Sequence, residues 1–487
     1  MRSIGRVGAL GALGVTIAVG ACGNLTPASR PPDPNITVTD GGPAVGGPDG
    51  ATPLGMSCSD LFDQNSFPTY SIEISAAEWD SMNAEFHNLA ALQTGLKFQV
   101  YHPIVFHMGN ETVTDAAIKL HGQSSWLDTV TFDGDRAKMQ FAISFEQTNP
   151  NGNFHGVGKI TFDMPRADWT FMHERLSDAW LREIGIMAPC SNNARLNING
   201  AYYGLYVAEE SVGPRLIQDY FPTNAGGDLW KGGQELQAGA GNTARVQQYW
   251  AANDVASIGA IVDLPRSVLT WAAEAELNDS DGYYGGMHNF LLYDQGAKGY
   301  VFIPTDLDST VDWLAIFDKT PYDDHPVFWW SNRAQPAPIP GPQWAVVMAD
   351  QTWRKTYADA IETQMARWNV SEIQGWIDAW SNQIAGAAAT DPHTWANPSD
   401  FQLAVSTARN VVANRPKYLQ TFVDCEHGGG TDADGDGYKW CDDCNDNDPN
   451  MHLGARERCG NGVDDNCNGI VDEGCAAPAP SPDAGAD

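Results

Sequence analysis

Residues 278–294 read NDSDGYYGGMHNFLLYD, and residues 300–310 read YVFIPTDLDST. The first stretch puts Asp281 in a glycine-rich turn and Asn289 at the head of an apolar strand, while the second ends a strand on Asp306 and Asp308. Two apolar strands with a short connection predict a hairpin whose base carries oxygen donors. Hard donors grouped in this way suit Mg²⁺ or Mn²⁺, ions that neutralise phosphate oxygens during phosphoryl transfer. An acid not engaged with metal could accept a proton. The same residues could also be ordinary turn and strand-end residues that stabilise a hairpin.

The hairpin sits inside a long mixed region. Residues 57–425 alternate strand-like runs (QVYHPIVFHM, MQFAISFE, AYYGLYVAEE) with helical patterns such as FMHERLSDAWLREIGI, which predicts an α+β domain. From 344 to 423 the apolar positions recur at three and four, so its C-terminal part is expected to be helical. With 28 Lys and Arg against 61 Asp and Glu, the net charge of −33 repels phosphate backbones and excludes nucleic acid as a partner.

At the N-terminus, Arg2 and Arg6 precede a short apolar run that stops at Ala21-Cys22, the layout of an export signal over residues 1–22. Val19-Gly20-Ala21-Cys22 resembles a bacterial lipobox, which implies a lipid on Cys22, a membrane anchor and an outer-membrane or cell-surface address. Residues 23–56 are rich in Pro, Gly, Thr and Asp and are expected to be a flexible linker, as are residues 477–487 a disordered tail. Nine cysteines less Cys22 leave eight, an even number that suits disulfides in an oxidising compartment. Cys58 and Cys190 stand apart from the six between Cys425 and Cys475, so one bridge is expected in the large domain and the rest in the tail. The connectivity is open from sequence.

Several separated segments between 70 and 330 resemble, in order, the spore-coat-protein-H (CotH) kinase family of atypical protein kinases. They are His121-Gly122-Gln123-Ser124-Ser125-Trp126, Lys138 with the strand that ends at Phe145, Phe171 to Leu176, Asn199 to Tyr206 leading to Glu210, Asp228 to Lys231, and the Asp281 and Asp306 segments. The resemblance implies a two-lobed kinase-like domain with a helical C-terminal lobe. It implies that the Gly122, Ser124 and Ser125 turn covers the phosphates of ATP, that Lys138 contacts them and pairs with Glu174, and that Glu210 faces the adenine. Asp281 would be the catalytic base for a Ser or Thr hydroxyl, with Asn289 and Asp306 holding Mg²⁺ or Mn²⁺. For Glu210, a structural salt bridge is the equal alternative. His121, Gln123, His173 and Thr305 depart from the residues usual in the family at those places.

Beyond residue 430 the pattern changes. Asp432, Asp434, Asp436 and Asp443, with Gly437 for the sharp turn and the Tyr438 carbonyl, have the spacing of a calcium loop, and Asp464, Asn466 and Asn468 repeat it with fewer charges. Residues 432–475, with Cys441, Cys444, Asn445 to Pro449, Gly454-Ala455 and Cys459, resemble the MopE-type metal-binding repeat. That family name is associated with copper, but the donors here are oxygens, which suit Ca²⁺ rather than Cu(I). A small disulfide-rich module over 430–476 is expected to take its folding energy from ions and bridges.

Two functions compete on these residues. One is an extracytoplasmic kinase that phosphorylates Ser or Thr of surface proteins. The other is a non-catalytic surface or adhesion lipoprotein that keeps the same fold. A glycosidase is not supported, because no acid pair accompanies a sugar-binding aromatic pattern.

Overall fold

The computed structural model describes residues 58–90, 100–122, 124–164, 168–311, 325–328, 341–394, 397–468, 470–472 and 474–475. The expected leader with Cys22, the linker 23–56 and the tail 477–487 lie outside the described residues.

Seven strands, β1 Thr69–Glu73, β2 His102–Met108, β3 Glu111–Leu120, β4 Phe141–Ser144, β5 Lys159–Asp163, β6 Ser191–Ile198 and β7 Ala201–Glu210, close into a barrel in the order β1-β2-β3-β4-β5-β7-β6. Every pair is antiparallel except β1 with β6, which closes the ring. The α+β content is as expected, and the strand-rich part is a closed barrel, a feature that the expectation of two kinase-like lobes did not include. Register shifts at Ile104/Phe106 and Leu196/Asn197 supply the local bends that closure needs. Asn199 and Gly200 both have positive φ, and this Asn-Gly pair makes the tight turn between β6 and β7. Alternate residues point inward, so Phe141 and Ile143, Ile160 and Phe162, and Tyr206 and Ala208 fill the barrel.

A second antiparallel sheet has the order β11-β10-β8-β9, from β8 Leu229–Lys231, β9 Glu235–Ala238, β10 Phe290–Asp294 and β11 Tyr300–Pro304. The β10 and β11 residues are buried on both faces. Helix α2, Leu264–Leu277, covers one side through Trp271 and Ala272, and Met187, Leu216 and Ile217 cover the other. Helix α1, His173–Glu183, precedes β6. The helical C-terminal part is present as α3 Pro342–Ala349, α4 Gln351–Met365, α5 Val370–Ala389 and α6 Pro398–Asp424. Asp350 interrupts the apolar periodicity of 344–368: its backbone leaves the helix and its carboxylate caps Thr352 and Trp353 of α4.

One buried ion pair ties barrel to helices. The Lys138 ammonium, fully buried, donates to Asp391 Oδ2 at 2.7 Å and to the Leu205 carbonyl at 2.5 Å, and it lies 4.4 Å from the centre of the Tyr206 ring. Asp391, beyond the end of α5, also accepts from the backbone N–H groups of Leu205 and His393. Gly204 permits this approach, since a Cβ there would stand 2.7 Å from Lys138 Cε. Asp391→Ala strands the ammonium in the interior and is expected to lower the unfolding free energy by about 3–5 kcal/mol, whereas Lys138→Met with Asp391→Leu should recover most of that loss. Chemical denaturation of the three proteins checks this. A single-variant loss under about 1 kcal/mol would mean the pair is solvated.

Candidate functional site

The Asp281 turn begins where α2 stops. Asn278 takes a left-handed conformation as the C-cap, and the turn is stitched to the segment after β11 by Val311 N–H to the Leu277 carbonyl at 2.7 Å and Ser280 N–H to the Ser309 carbonyl at 3.3 Å. Asp281 N–H donates to Asp279 Oδ1 at 3.2 Å. Gly282 leaves room for the Asp279 carboxylate, since a Cβ there would meet Asp279 Oδ2 at 2.3 Å unless that side chain moved. At the open end of the β10–β11 hairpin, Asn289 and Asp306 both have positive φ, and Thr305 N–H donates to the Asn289 carbonyl at 2.9 Å. Such strained backbone outside glycine is tolerated best by Asn and Asp. Asn289 Nδ2 then donates to Asp281 Oδ2 at 2.9 Å. The structure therefore brings Asp281, Asn289 and Asp306 together, as the hairpin reading expects. Asp308 is half-buried behind them and accepts from Ser309 Oγ at 3.0 Å.

The charges in this cleft are unbalanced. Asp281 is reached by solvent, yet the protein packed around its carboxyl desolvates it and raises its pKa; His288 opposes the shift and Asp306 adds to it. Asp306 is reached by solvent but walled by protein on most sides, and this desolvation raises it too, against the pull of Lys231 and His288.

Facing the hairpin from the barrel is a second acidic group that the sequence reading did not assemble. Asp163 at the end of β5, Glu174 in the first turn of α1 and Glu209 in β7 offer carboxylate oxygens all within 4.8 Å of one another. Burial pushes Asp163 up to about 7, with Asp306 adding to the shift, and it raises Glu174 and Glu209 as well. His121 Nε2 stands 3.6 Å from Asp163. Strand parity explains why Glu209 was missed in favour of its neighbour. Thr161 pairs with Glu209 and Ile160 with Glu210, so Glu209 shares the outer face with Asp163 and lies against α1.

Glu210 points the other way and is clamped by Arg215, whose Nε donates at 2.7 Å and whose second nitrogen closes the bidentate pair. Of the two alternatives for Glu210, the structure thus contains the salt bridge. The expected Lys138–Glu174 pair does not form, because Asp391 takes the ammonium. Gly122 has φ of +78°, and a helix starts at Ser124 rather than continuing a turn. Gln123 and the side chains of Ser124 and Ser125 lie outside the described residues.

Four disulfides account for the eight cysteines other than Cys22: Cys58–Cys190 in the barrel region and, in the tail, Cys425–Cys441, Cys444–Cys467 and Cys459–Cys475. Asp434, Asp436 and Asp443 form one cluster of converging carboxylates, and Asp432, Asp434 and Asp446 form another. Each of Asp434, Asp436 and Asp443 uses Oδ1 to accept a nearby backbone N–H, leaving a buried Oδ2 without a partner. Asp432 accepts from the Gly435 and Gly437 N–H groups. Inward oxygens without donors are what a cation loop requires, so the residues present fit a metal ion. Asp446 was not foreseen as a donor. Tyr438 stacks on His452 at 3.9 Å. The second set is built differently: Asp464 accepts from Asn468 N–H and Asn468 from Ile470 N–H, while Asp472 caps the Gly460 and Gly462 N–H groups. Gly469 and Glu473 of that set lie outside the described residues.

Family models match the chain in two places. The CotH kinase protein model matches residues 118–257 and 251–419, more than half of the chain. The Cu-binding MopE metal-binding motif matches residues 443–473. It begins at Asp443, so the carboxylates of 432–436 lie ahead of the match although they converge on Asp443. No curated protein matches the chain.

Arg354 of α4 ties the helical part to the stretch that lies between the two matches. It is almost fully buried, donates from Nε to Glu426 at 2.9 Å and from Nη1 to the Met348 carbonyl at 2.9 Å, and pairs with Asp442 through Nη2. Arg354→Ala leaves two enclosed carboxyls without a counter-charge, and an unfolding free energy lower by about 3–5 kcal/mol is expected in urea titrations. Wild-type stability in this variant would mean that the tail is not docked through this residue.

Proposed function

We propose, for a chain that belongs to the CotH kinase protein family, that it is an atypical protein kinase which uses ATP with Mg²⁺ or Mn²⁺ to phosphorylate Ser or Thr hydroxyls of surface proteins. The observation that carries this reading is the convergence of Asp281, Asn289 and Asp306 at the open end of one hairpin. Asn289 and Asp306 would hold the metal. When bound, such an ion neutralises phosphate oxygens and so lowers the cost of their approach to a cleft this acidic. Asp281 accepts the proton of the attacking hydroxyl, and the Asn289 amide donates to one of its oxygens, which aims the other. Lys231, whose charge acts on both Asp163 and Asp306, supplies cationic help from the chain itself.

Its four disulfides mark the protein as exported. Among the described residues no helix is long and apolar enough to cross a membrane. We assign the membrane link to a lipid on Cys22, and the cell surface as the address. One observation favours the second reading, a non-catalytic surface protein: Lys138, the expected phosphate contact, is held in the interior by Asp391.

Incubating the purified protein with radiolabelled ATP and Mg²⁺ or Mn²⁺ separates the two. Incorporation into the chain is expected, falling by about 10²–10⁴-fold in Asp281→Asn, with a comparable loss in Asp306→Asn. An unlabelled wild-type protein whose melting temperature is also indifferent to ATP and metal would sink the kinase reading.

For the tail we propose Ca²⁺ at Asp434, Asp436 and Asp443, with Asp432 and the Tyr438 carbonyl completing the loop, and a weaker ion at Asp464, Asn466 and Asn468. Calcium at 100 times its Kd stabilises by about 2.7 kcal/mol if it binds only the folded state. Chelation at intact disulfides should therefore lower the melting temperature by several degrees. An unchanged melting curve would exclude a structural role for the ion.

A further inference from the structure

The carboxylate loop of the tail is packed into the larger part of the molecule. Cys441, Leu453 and Cys467 lie in the same buried cluster as Trp271 of α2, Tyr283 beside the Asp281 turn, and Tyr357 and Ile361 of α4. Arg354 of α4 donates to Glu426 and to the Met348 carbonyl and reaches Asp442 with its remaining nitrogen. Asp359, also of α4, adds a contact of 2.8 Å to His427 Nε2. The Cys425–Cys441 bridge keeps the tail attached to the end of α6 whatever the state of the loop.

Asp442, held by Arg354, is followed directly by Asp443, the most enclosed donor of the Asp434, Asp436 and Asp443 cluster at 4% exposed. The Oδ1 atom of Asp443 accepts from Asn445 N–H at 2.7 Å, while its Oδ2 is buried without a partner. Desolvation raises the Asp434 and Asp443 carboxyls, and the charges of Asp436 and Asp446 add to the shift in both. Carboxylates grouped in this way push apart unless a cation neutralises them. Asp442 shares a peptide bond with Asp443, so an opening of the loop draws Asp442 away from Arg354. In the other direction, Arg354 is anchored by Glu426 and Met348, and by holding Asp442 it places Asp443 in advance for an ion. Two binding events linked through one element strengthen each other by the same factor.

We propose that the tail is a calcium-set brace: the ion at Asp434, Asp436 and Asp443 and the Arg354–Asp442 contact stabilise one another, so that calcium tightens α4. The effect passes inward because Gln364 of α4 donates to the Leu269 carbonyl of α2 at 3.0 Å, and α2 ends at the Asp281 turn. This inference rests on the calcium reading of the tail and is independent of phosphate transfer.

Calcium titration of the full chain by calorimetry compares wild type with Arg354→Lys, which keeps a positive charge but cannot reach Glu426, Asp442 and Met348 together. The equivalent to follow is the one that Asp434→Asn abolishes. Arg354→Lys is expected to weaken it by about 5–150-fold. Hydrogen exchange of the wild type, which needs no variant to fold, should slow in α4 when calcium is added and stay unchanged in α5, whose Ile373, Ile377 and Ile384 belong to a different buried cluster. Equal calcium affinity in wild type and Arg354→Lys overturns the proposal, and so does exchange in α4 that is indifferent to calcium. Either result leaves the calcium reading of the tail standing, whereas a wild-type protein that binds no calcium overturns both.

Discussion

Carboxylates that share a desolvated space repel one another, and the β10–β11 hairpin can carry its acids only because they sit where solvent or a cation can reach them. Asn289 and Asp306 occupy left-handed backbone at the two strand ends, which turns their side chains out of a sheet buried on both faces. Asp281 is held next to them by the bonds from Leu277 and Ser280 to residues 309–311. Across the cleft the barrel adds Asp163, Glu174 and Glu209, and the positive groups among the described residues that act on these acids include Lys231, His288 and His121.

That arrangement also gives Lys138 a different place from the one its position in the family pattern suggests. A lysine in the interior needs one well-oriented acid, and Asp391 supplies it together with the Leu205 carbonyl. The ammonium thus joins the barrel to the end of α5. In the kinase reading proposed above, the contact with phosphates would fall to metal ions and to Lys231 instead. Arg354 has the same kind of role, joining α4 to the tail through Glu426 and Asp442, next to Asp443 of the tail's carboxylate cluster.

The hairpin acids were legible in the sequence because all of them fall within one short stretch whose strands and turns read locally. The helical C-terminal part was legible for the same reason, from its apolar periodicity, though Asp350 as a cap splits what read as one helix. What escaped depended on distance or parity. Asp391 lies 253 residues from Lys138, and no local pattern links them. Glu209 and Glu210 are adjacent, and only the pairing of β7 with β5 decides which faces α1. Barrel closure rests on the parallel pairing of β1 with β6, which are separated by more than a hundred residues. In the tail, the regular spacing revealed Asp434, Asp436 and Asp443, but Asp446 enters only through the fold of the disulfide-held loop.

If the kinase reading holds, this cleft accepts nucleotide only together with divalent cations. Calorimetric titration of the full chain with ATP, with and without Mn²⁺, addresses it directly. Saturable binding with Mn²⁺ and none after chelation is the predicted result. Equal ATP binding in the absence of divalent ions, or none in either condition, would contradict it.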